Sequence, residues 1–222
     1  TAGSCTLTAV QDALDEADET IVVAFGTITN GQAGAASQVT ATITDDDPAP
    51  TVSLAVDSGT IRARGGGEAA GPSPVDRRKP GSKHFAVVDG GGTPLGTRTT
   101  AANRPDVSEL EGAVDGVPPV RGRRGRPRRR PDEVYADRGF DARANREALR
   151  RRGIKARIAR RGEAHGSGLG QVRWVVERSL SWLHDFGRLR VRKDRSAAIH
   201  QGFLDLAASI ICLRQLPDGQ LC

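Results

Sequence analysis

From Thr51 onward the sequence alternates between two hydrophobic periods, and this alternation limits its folding options more than any other feature. Short runs rich in Val, Ile and Thr with period two read as strands; longer runs with apolar residues three and four apart read as helices. The order is a strand, "TVSLAVD", a Gly/Pro/Arg-rich loop, and then a hairpin, "HFAVVDGGGTPLGTRTT", turned by three glycines. A helix follows, "DVSELEGAVDGV", with Asp106 as its N-cap and Ser108 as the next candidate. After the loop "RGRRGRPRRRP" come a strand, "EVYAD", and a helix, "ARANREALRRRG", preceded by Asp141 as a cap and closed by Gly153. The strand "IKARIAR" and the helices "QVRWVVERSLSWLHDFGRL" and "SAAIHQGFLDLAASIICLRQL" complete the series. Strands joined by crossover helices build a mixed α/β sheet with helices on its faces.

Residues 1–50 follow another pattern. "TIVVAFGTI" and "SQVTATITDDD" read as two strands around the turn "TNGQAG", behind the acidic loop "DALDEADET"; "DDDPAP" closes the segment. Charge divides the chain at nearly the same place. Residues 1–60 carry nine acids and no Lys or Arg, a net of −9, whereas residues 61–222 carry all 33 bases and 18 acids, a net of +15. Such a split predicts two modules with different partners, residues 1–50 and 51–216. The basic module suits a polyanion, most simply double-stranded DNA, and its bias towards Arg suits bidentate phosphate contacts. The loop residues Arg121, Arg123, Arg124, Arg126, Arg128, Arg129 and Arg130 are the densest such cluster, with Arg173 and Arg178 as further DNA-binding candidates.

Cys5, Cys212 and Cys222 form no disulfide framework or metal-ligand pattern, which points to a reducing compartment; with a DNA partner, the expectation is a cytoplasmic, nucleoid-associated protein. No signal peptide and no membrane-length apolar run is present. The sequence begins at Thr1 and contains no Met, which reads as a piece of a longer frame.

Two of the strands end in an acid, at Asp57 and Asp137. Strand-end acids gather at one edge of an α/β sheet, where sites form. On the helix "VRWVVERSLSW", Val176, Leu180 and Leu183 form the apolar stripe, and Arg173, Glu177 and His184 lie near one another on another face. Asp57, Asp137 and Glu177 converging would hold two divalent cations about 3.5–4 Å apart, the arrangement for in-line phosphoryl transfer. Mg²⁺ suits such oxygen ligands, and Mn²⁺ can substitute. Asp89 reads as a turn residue, Trp174 and Trp182 as core, His200 and Cys212 as helix packing, and His165 as a loop residue without a partner.

The stretches "GPSPVDRRKPGSKH", "GRPRRRPDEVYADRGFD" and "IARRGEAHGSGLGQVRWVVERSLSWLHDFGRLRVR" resemble the catalytic domain of insertion-sequence DDE transposases. The resemblance implies a ribonuclease-H-like fold, an Asp-Asp-Glu triad binding two Mg²⁺, and metal-dependent cleavage and joining of DNA strands at transposon ends and target, in a homo-oligomeric complex. By motif, Asp137 in "YADRG" is the second acid and Glu177 in "RWVVER" the third. Asp57 stands 14 residues before Gly71, the family's spacing for the first acid, with Ser58-Gly59 in place of Gly-Ser. His184 takes a place usually basic or polar, and Gly170 one often held by Tyr. Ahead of this domain, "LDEADETIVVAF" and "ATITDDD" resemble the second half of a Calx-β module, a β-sandwich; the resemblance implies Ca²⁺ held by acidic loops, with Asp45, Asp46 and Asp47 as candidate ligands. The alternative reading is therefore a calcium-binding adhesion module interrupted by an inactive transposase remnant.

Overall fold

A computed structural model describes residues 19–24, 38–43, 51–120, 127–128, 130–162 and 170–216. The chain divides into two compact units, Thr1–Pro50 and Thr51–Cys222. In the first, β1 (Glu19–Ala24) and β2 (Gln38–Ile43) pair antiparallel, Glu19 opposite Ile43, in the two segments whose Val, Ile and Thr content predicts strands. The candidate calcium ligands Asp45, Asp46 and Asp47 lie outside the described residues.

The second unit is built on β3 (Ser53–Ala63). Its antiparallel neighbour β5 (Pro80–Val88) runs on through an Asp89–Thr93 turn into β6 (Pro94–Ala101), and a two-residue strand β4 (Gly71–Pro72) pads the far end of β5. Asp89 Oδ1 accepts from the amides of Gly91 and Thr93, which fixes the turn as the sequence predicts. After a 3₁₀ turn, Asp106–Ser108, and α1 (Leu110–Asp115), the chain crosses over to β7 (Glu133–Ala136), which pairs parallel with β3. A second crossover, α2 (Arg143–Arg151), leads to β8 (Lys155–Ile158), parallel to β7. Gly153, at φ +68°, takes the left-handed position that ends α2. Helices α3 (Gly170–Asp185), α4 (Gly187–Arg190) and α5 (Ala197–Gln215) follow, with the short β9 (Val191–Arg192) parallel to the end of β3.

Leaving out the two short additions, the sheet order is β6-β5-β3-β7-β8, a three-stranded meander continued by two parallel strands. That is the ribonuclease-H-like arrangement. Period-two alternation gives the sheet two apolar faces. Leu54, Val56, Phe85 and Val87 pack under α1 and α2 with Leu110, Phe140 and Leu149. Ala55, Ala86 and Val88 face α3 and α5, meeting Val176, Leu180, Leu183, Leu204 and Ile211. The two alanines let α3 lie close to the strands, and each fully buried large side chain contributes about 1.5–3 kcal/mol. No described helix is long and apolar enough to cross a membrane.

Three local expectations are corrected. β3 does not end at Asp57 but continues to Ala63, because β5 supplies partners from Ala55↔Val88 through Arg62↔Gly81. Neither Asp106 nor Ser108 caps α1: the Asp106 carboxylate accepts from Lys83 Nζ at 2.7 Å and Ser58 Oγ at 3.0 Å, and Ser108 Oγ donates to the Pro105 carbonyl. Asp141 does not cap α2 either; it accepts from Arg146 Nε and the Arg161 amide.

Candidate active site

The parallel pairing of β3 with β7 ends at Val56↔Ala136, so Asp57 and Asp137 leave the two strands side by side. Asp57 remains in extended backbone because β5 still pairs with it, opposite Ala86. β7 stops instead, since Asp137 caps the turn Arg138–Phe140 through Oδ1, which accepts from the Gly139 amide at 2.8 Å. A Cβ at residue 139 would stand 2.9 Å from Asp137 Oδ1 and 3.2 Å from Asp106 Oδ2, so a larger residue would displace these carboxylates.

Helix α3 brings the third acid. Its stripe of Val176, Leu180 and Leu183 is buried against the sheet, as the periodicity predicts, and this turns Arg173 and Glu177 towards β3. Arg173 Nη2 donates to Asp57 Oδ2 at 3.2 Å and to Glu177 Oε1 at 3.3 Å, so one guanidinium links the first and third acids. Asp57 Oδ1 accepts from the Ser58 amide at 2.8 Å. Its side chain is only 15% exposed, whereas that of Glu177 is 59% exposed. Burial pushes the Asp57 carboxyl above its ordinary value; the Ser58 amide and Arg173 oppose that, and the neighbouring Asp137 charge adds to it.

Asp57 and Asp137 thus stand beside each other where the β3–β7 pairing ends, and Glu177 is linked to Asp57 through Arg173 rather than by direct approach. Among the described residues no group of three or more His, Cys, Asp or Glu side chains is gathered closely enough to hold a metal ion. The donor chemistry still fits a hard divalent cation: the carboxylate oxygens of largely buried Asp57 and exposed Glu177 already draw a cationic side chain between them. Among the described residues Arg173 Nε is buried with no hydrogen-bond partner, and the guanidinium donates to the two acids through Nη2.

The remaining candidates are scattered. Arg178 lies between the rings of Trp174 and Trp182, 4.5 and 4.6 Å from their centroids, and donates to the Gly91 carbonyl. Trp182 packs on the core as expected, but Trp174 is half exposed, because α3 places it on the solvent side with Arg178 covering one face. Arg128 pairs with Asp132, and Arg130 donates to the Arg152 carbonyl. Arg121, Arg123, Arg124, Arg126 and Arg129, like His165, lie outside the described residues. Sequence reasoning missed the Lys83–Asp106–Ser58 network behind the acids and the burial of His84, since neither has a local periodic signal.

The family described as "Transposase DDE domain" matches residues 48–212, a span that holds Asp57, Asp137 and Glu177. A protein of Burkholderia cepacia, described as a transposase for insertion sequence element IS402, is 53% identical over 153 residues, 69% of this chain and 72% of that protein. Among solved structures, the piggyBac transposase in a synaptic complex with hairpin DNA aligns with a TM-score of 0.44 at 12% identity. The alignment covers 75% of this chain and 48% of that one, so this chain spans about half the length of that structure's chain.

Proposed function

The chain belongs to the insertion-sequence transposases with a DDE domain, and from that premise we propose that residues 51–216 cut DNA strands and join their 3′-hydroxyls to target DNA. Asp57, Asp137 and Glu177 would hold two divalent cations, Mg²⁺ or in its place Mn²⁺. Bound there, the cations supply activation of the attacking oxygen and stabilisation of the leaving oxygen. The observation that carries this reading is the meeting of Asp57 and Asp137 at the end of the β3–β7 pairing, with Glu177 tied to Asp57 through Arg173.

The chain's own groups do the positioning. The Asp137 cap and the β5 pairing fix the first two carboxylates on rigid backbone, and α3 presents the third. Arg173 holds Asp57 and Glu177 together and has the planar fork that pairs with a phosphate. The +15 net charge of residues 61–222 favours the DNA backbone, with binding that weakens as salt rises. A homo-oligomer assembling both transposon ends, at the nucleoid, completes the proposal.

The test is nicking and strand transfer on a supercoiled plasmid with Mg²⁺ or Mn²⁺, comparing the wild type with Glu177→Gln and Asp137→Asn. Product should vanish in both variants while salt-sensitive DNA binding survives. Undiminished transfer by Glu177→Gln would sink the assignment. No product from any protein, with binding retained, would mean that the domain keeps its fold and basic surface but not its activity.

A further inference from the structure

Three histidines form a chain that the acidic site does not use. His184 Nε2 lies 3.3 Å from His84 Nδ1, and His84 Nε2 lies 2.8 Å from His200 Nε2. Beyond them, His200 Nδ1 faces Asp194 Oδ2 at 3.6 Å, and neither of these buried atoms has a hydrogen-bond partner among the described residues. His84 and His200 are fully buried, whereas His184 is partly exposed. The rings come from β5, α3 and α5, so the tertiary fold alone brings them together. The outer end of the chain lies at the catalytic strand. His84 pairs opposite Gly59 of β3, and His184 Cε1 sits 2.7 Å from where a Gly59 Cβ would be. Gly59 follows Asp57 by two residues and shares its face of the strand.

Counting protons fixes how the chain works. A neutral imidazole has one N–H and one bare nitrogen. Two contacts between rings use two of the three N–H groups, and the third is left for one end. The arrangement in which that proton sits on His200 Nδ1, facing Asp194 Oδ2 at 3.6 Å, satisfies both ring contacts. His84 Nε2–H then donates to His200 Nε2, His184 Nε2–H donates to His84 Nδ1, and His184 Nδ1 is bare. In this state His184 has no N–H to offer an outside anion. One added proton at His184 Nδ1 breaks none of the contacts and makes that nitrogen a charged donor. The positive charge can also move inward: His184 Nε2–H passes to His84 Nδ1, and His84 Nε2–H passes to His200 Nε2, leaving the imidazolium beside Asp194.

The surroundings keep the free chain neutral. Burial holds all three rings below the ordinary imidazole value; His84 is lowered further by its two neighbours and by Arg192, and His200 by Arg192 and Arg188. Asp194 opposes this at His200, and Asp185 opposes it at His184. At this end Arg190 donates to the His184 carbonyl and pairs with Asp185.

We propose that His184, His84, His200 and Asp194 form a proton relay that takes up one proton when a DNA phosphate approaches His184, coupling strand binding at the catalytic face to protonation. The proposal rests on the DNA-binding reading given above. A phosphate beside His184 Nδ1 supplies the anion that the free chain lacks there and makes a charge-assisted hydrogen bond.

The experiment uses the full chain with ¹⁵N-labelled histidine, titrated by NMR between about pH 5 and pH 8 with and without a short DNA duplex. DNA affinity is measured across the same range. The resonances of the three rings should move together with uptake of one proton, and DNA should shift that uptake to higher pH. Affinity should fall by up to about tenfold per pH unit, the limit for one linked proton. His184→Gln, at the partly exposed end, should flatten that pH dependence, and Asp194→Asn should move the uptake to lower pH. Three independent titrations, or an unchanged pH slope in His184→Gln, would overturn the relay. Absence of DNA binding by the wild type at every pH would instead overturn the DNA reading beneath it, and the NMR titration of the free chain distinguishes the two failures.

Discussion

Replacing Asp57 with Asn should make the protein more stable and inactive at once. Asp57 is 15% exposed, and its carboxyl is held above the ordinary value chiefly by burial, with the Asp137 charge adding to the effect. The Arg173 pairing at 3.2 Å works the other way. The attraction and hydrogen bond of Arg173 together outweigh the repulsion from Asp137, so it is the loss of hydration on burial that keeps the carboxyl raised. Asn keeps an oxygen for the Ser58 amide and removes the charge, and Arg173 keeps its contact with Glu177. Relief of such functional strain is worth about 1 kcal/mol, which raises Tm by roughly 2–4 °C in a unit of this size. The pH dependence has a definite sign. A carboxyl raised in the folded state binds its proton more tightly there than in the unfolded chain, so ionised Asp57 costs stability at neutral pH. That cost fades as pH falls through the raised value and is gone below the ordinary one. Thermal unfolding of wild type and Asp57→Asn at neutral and acid pH, beside the plasmid assay, tests this. A lower Tm for Asp57→Asn at neutral pH, or a gain that persists in acid, would refute the reasoning.

Gly139→Ala places a Cβ 2.9 Å from Asp137 Oδ1 and should cut strand transfer at least about tenfold by displacing that carboxylate, while circular dichroism shows the fold retained. Glu133 accepts from Arg157, Tyr135 and Lys155, and these contacts lower its carboxyl to about 2. Its contribution to stability should therefore be present above the ordinary value of 4.5 and be lost as pH falls towards about 2. Urea unfolding of Glu133→Gln should show a shallower loss of stability over that window than the wild type.

The sequence by itself determined the element series of the second unit and the class of its sheet. The period-two runs at β3, β5 and β7 and the stripe Val176, Leu180, Leu183 are local patterns, and each reports which face of its element is buried. The turn at Asp89 and the left-handed Gly153 were legible for the same reason, because a few adjacent residues settle them. The acids Asp57, Asp137 and Glu177 could be named from motifs, but how they meet could not. The length of β3 beyond Asp57 depends on β5, and the position of Asp57 beside Asp137 depends on the β3–β7 register. The Arg173 bridge joins residues 116 apart, and the histidine chain joins residues 100 and 116 apart. Asp106 and Asp141 look like caps in sequence, yet Lys83 and Arg146 claim their carboxylates in the folded chain. Periodicity records only which side of an element is apolar. Which polar groups then face one another is decided when the sheet, α3 and α5 close together, because each buried donor or acceptor takes the partner that the tertiary contact supplies.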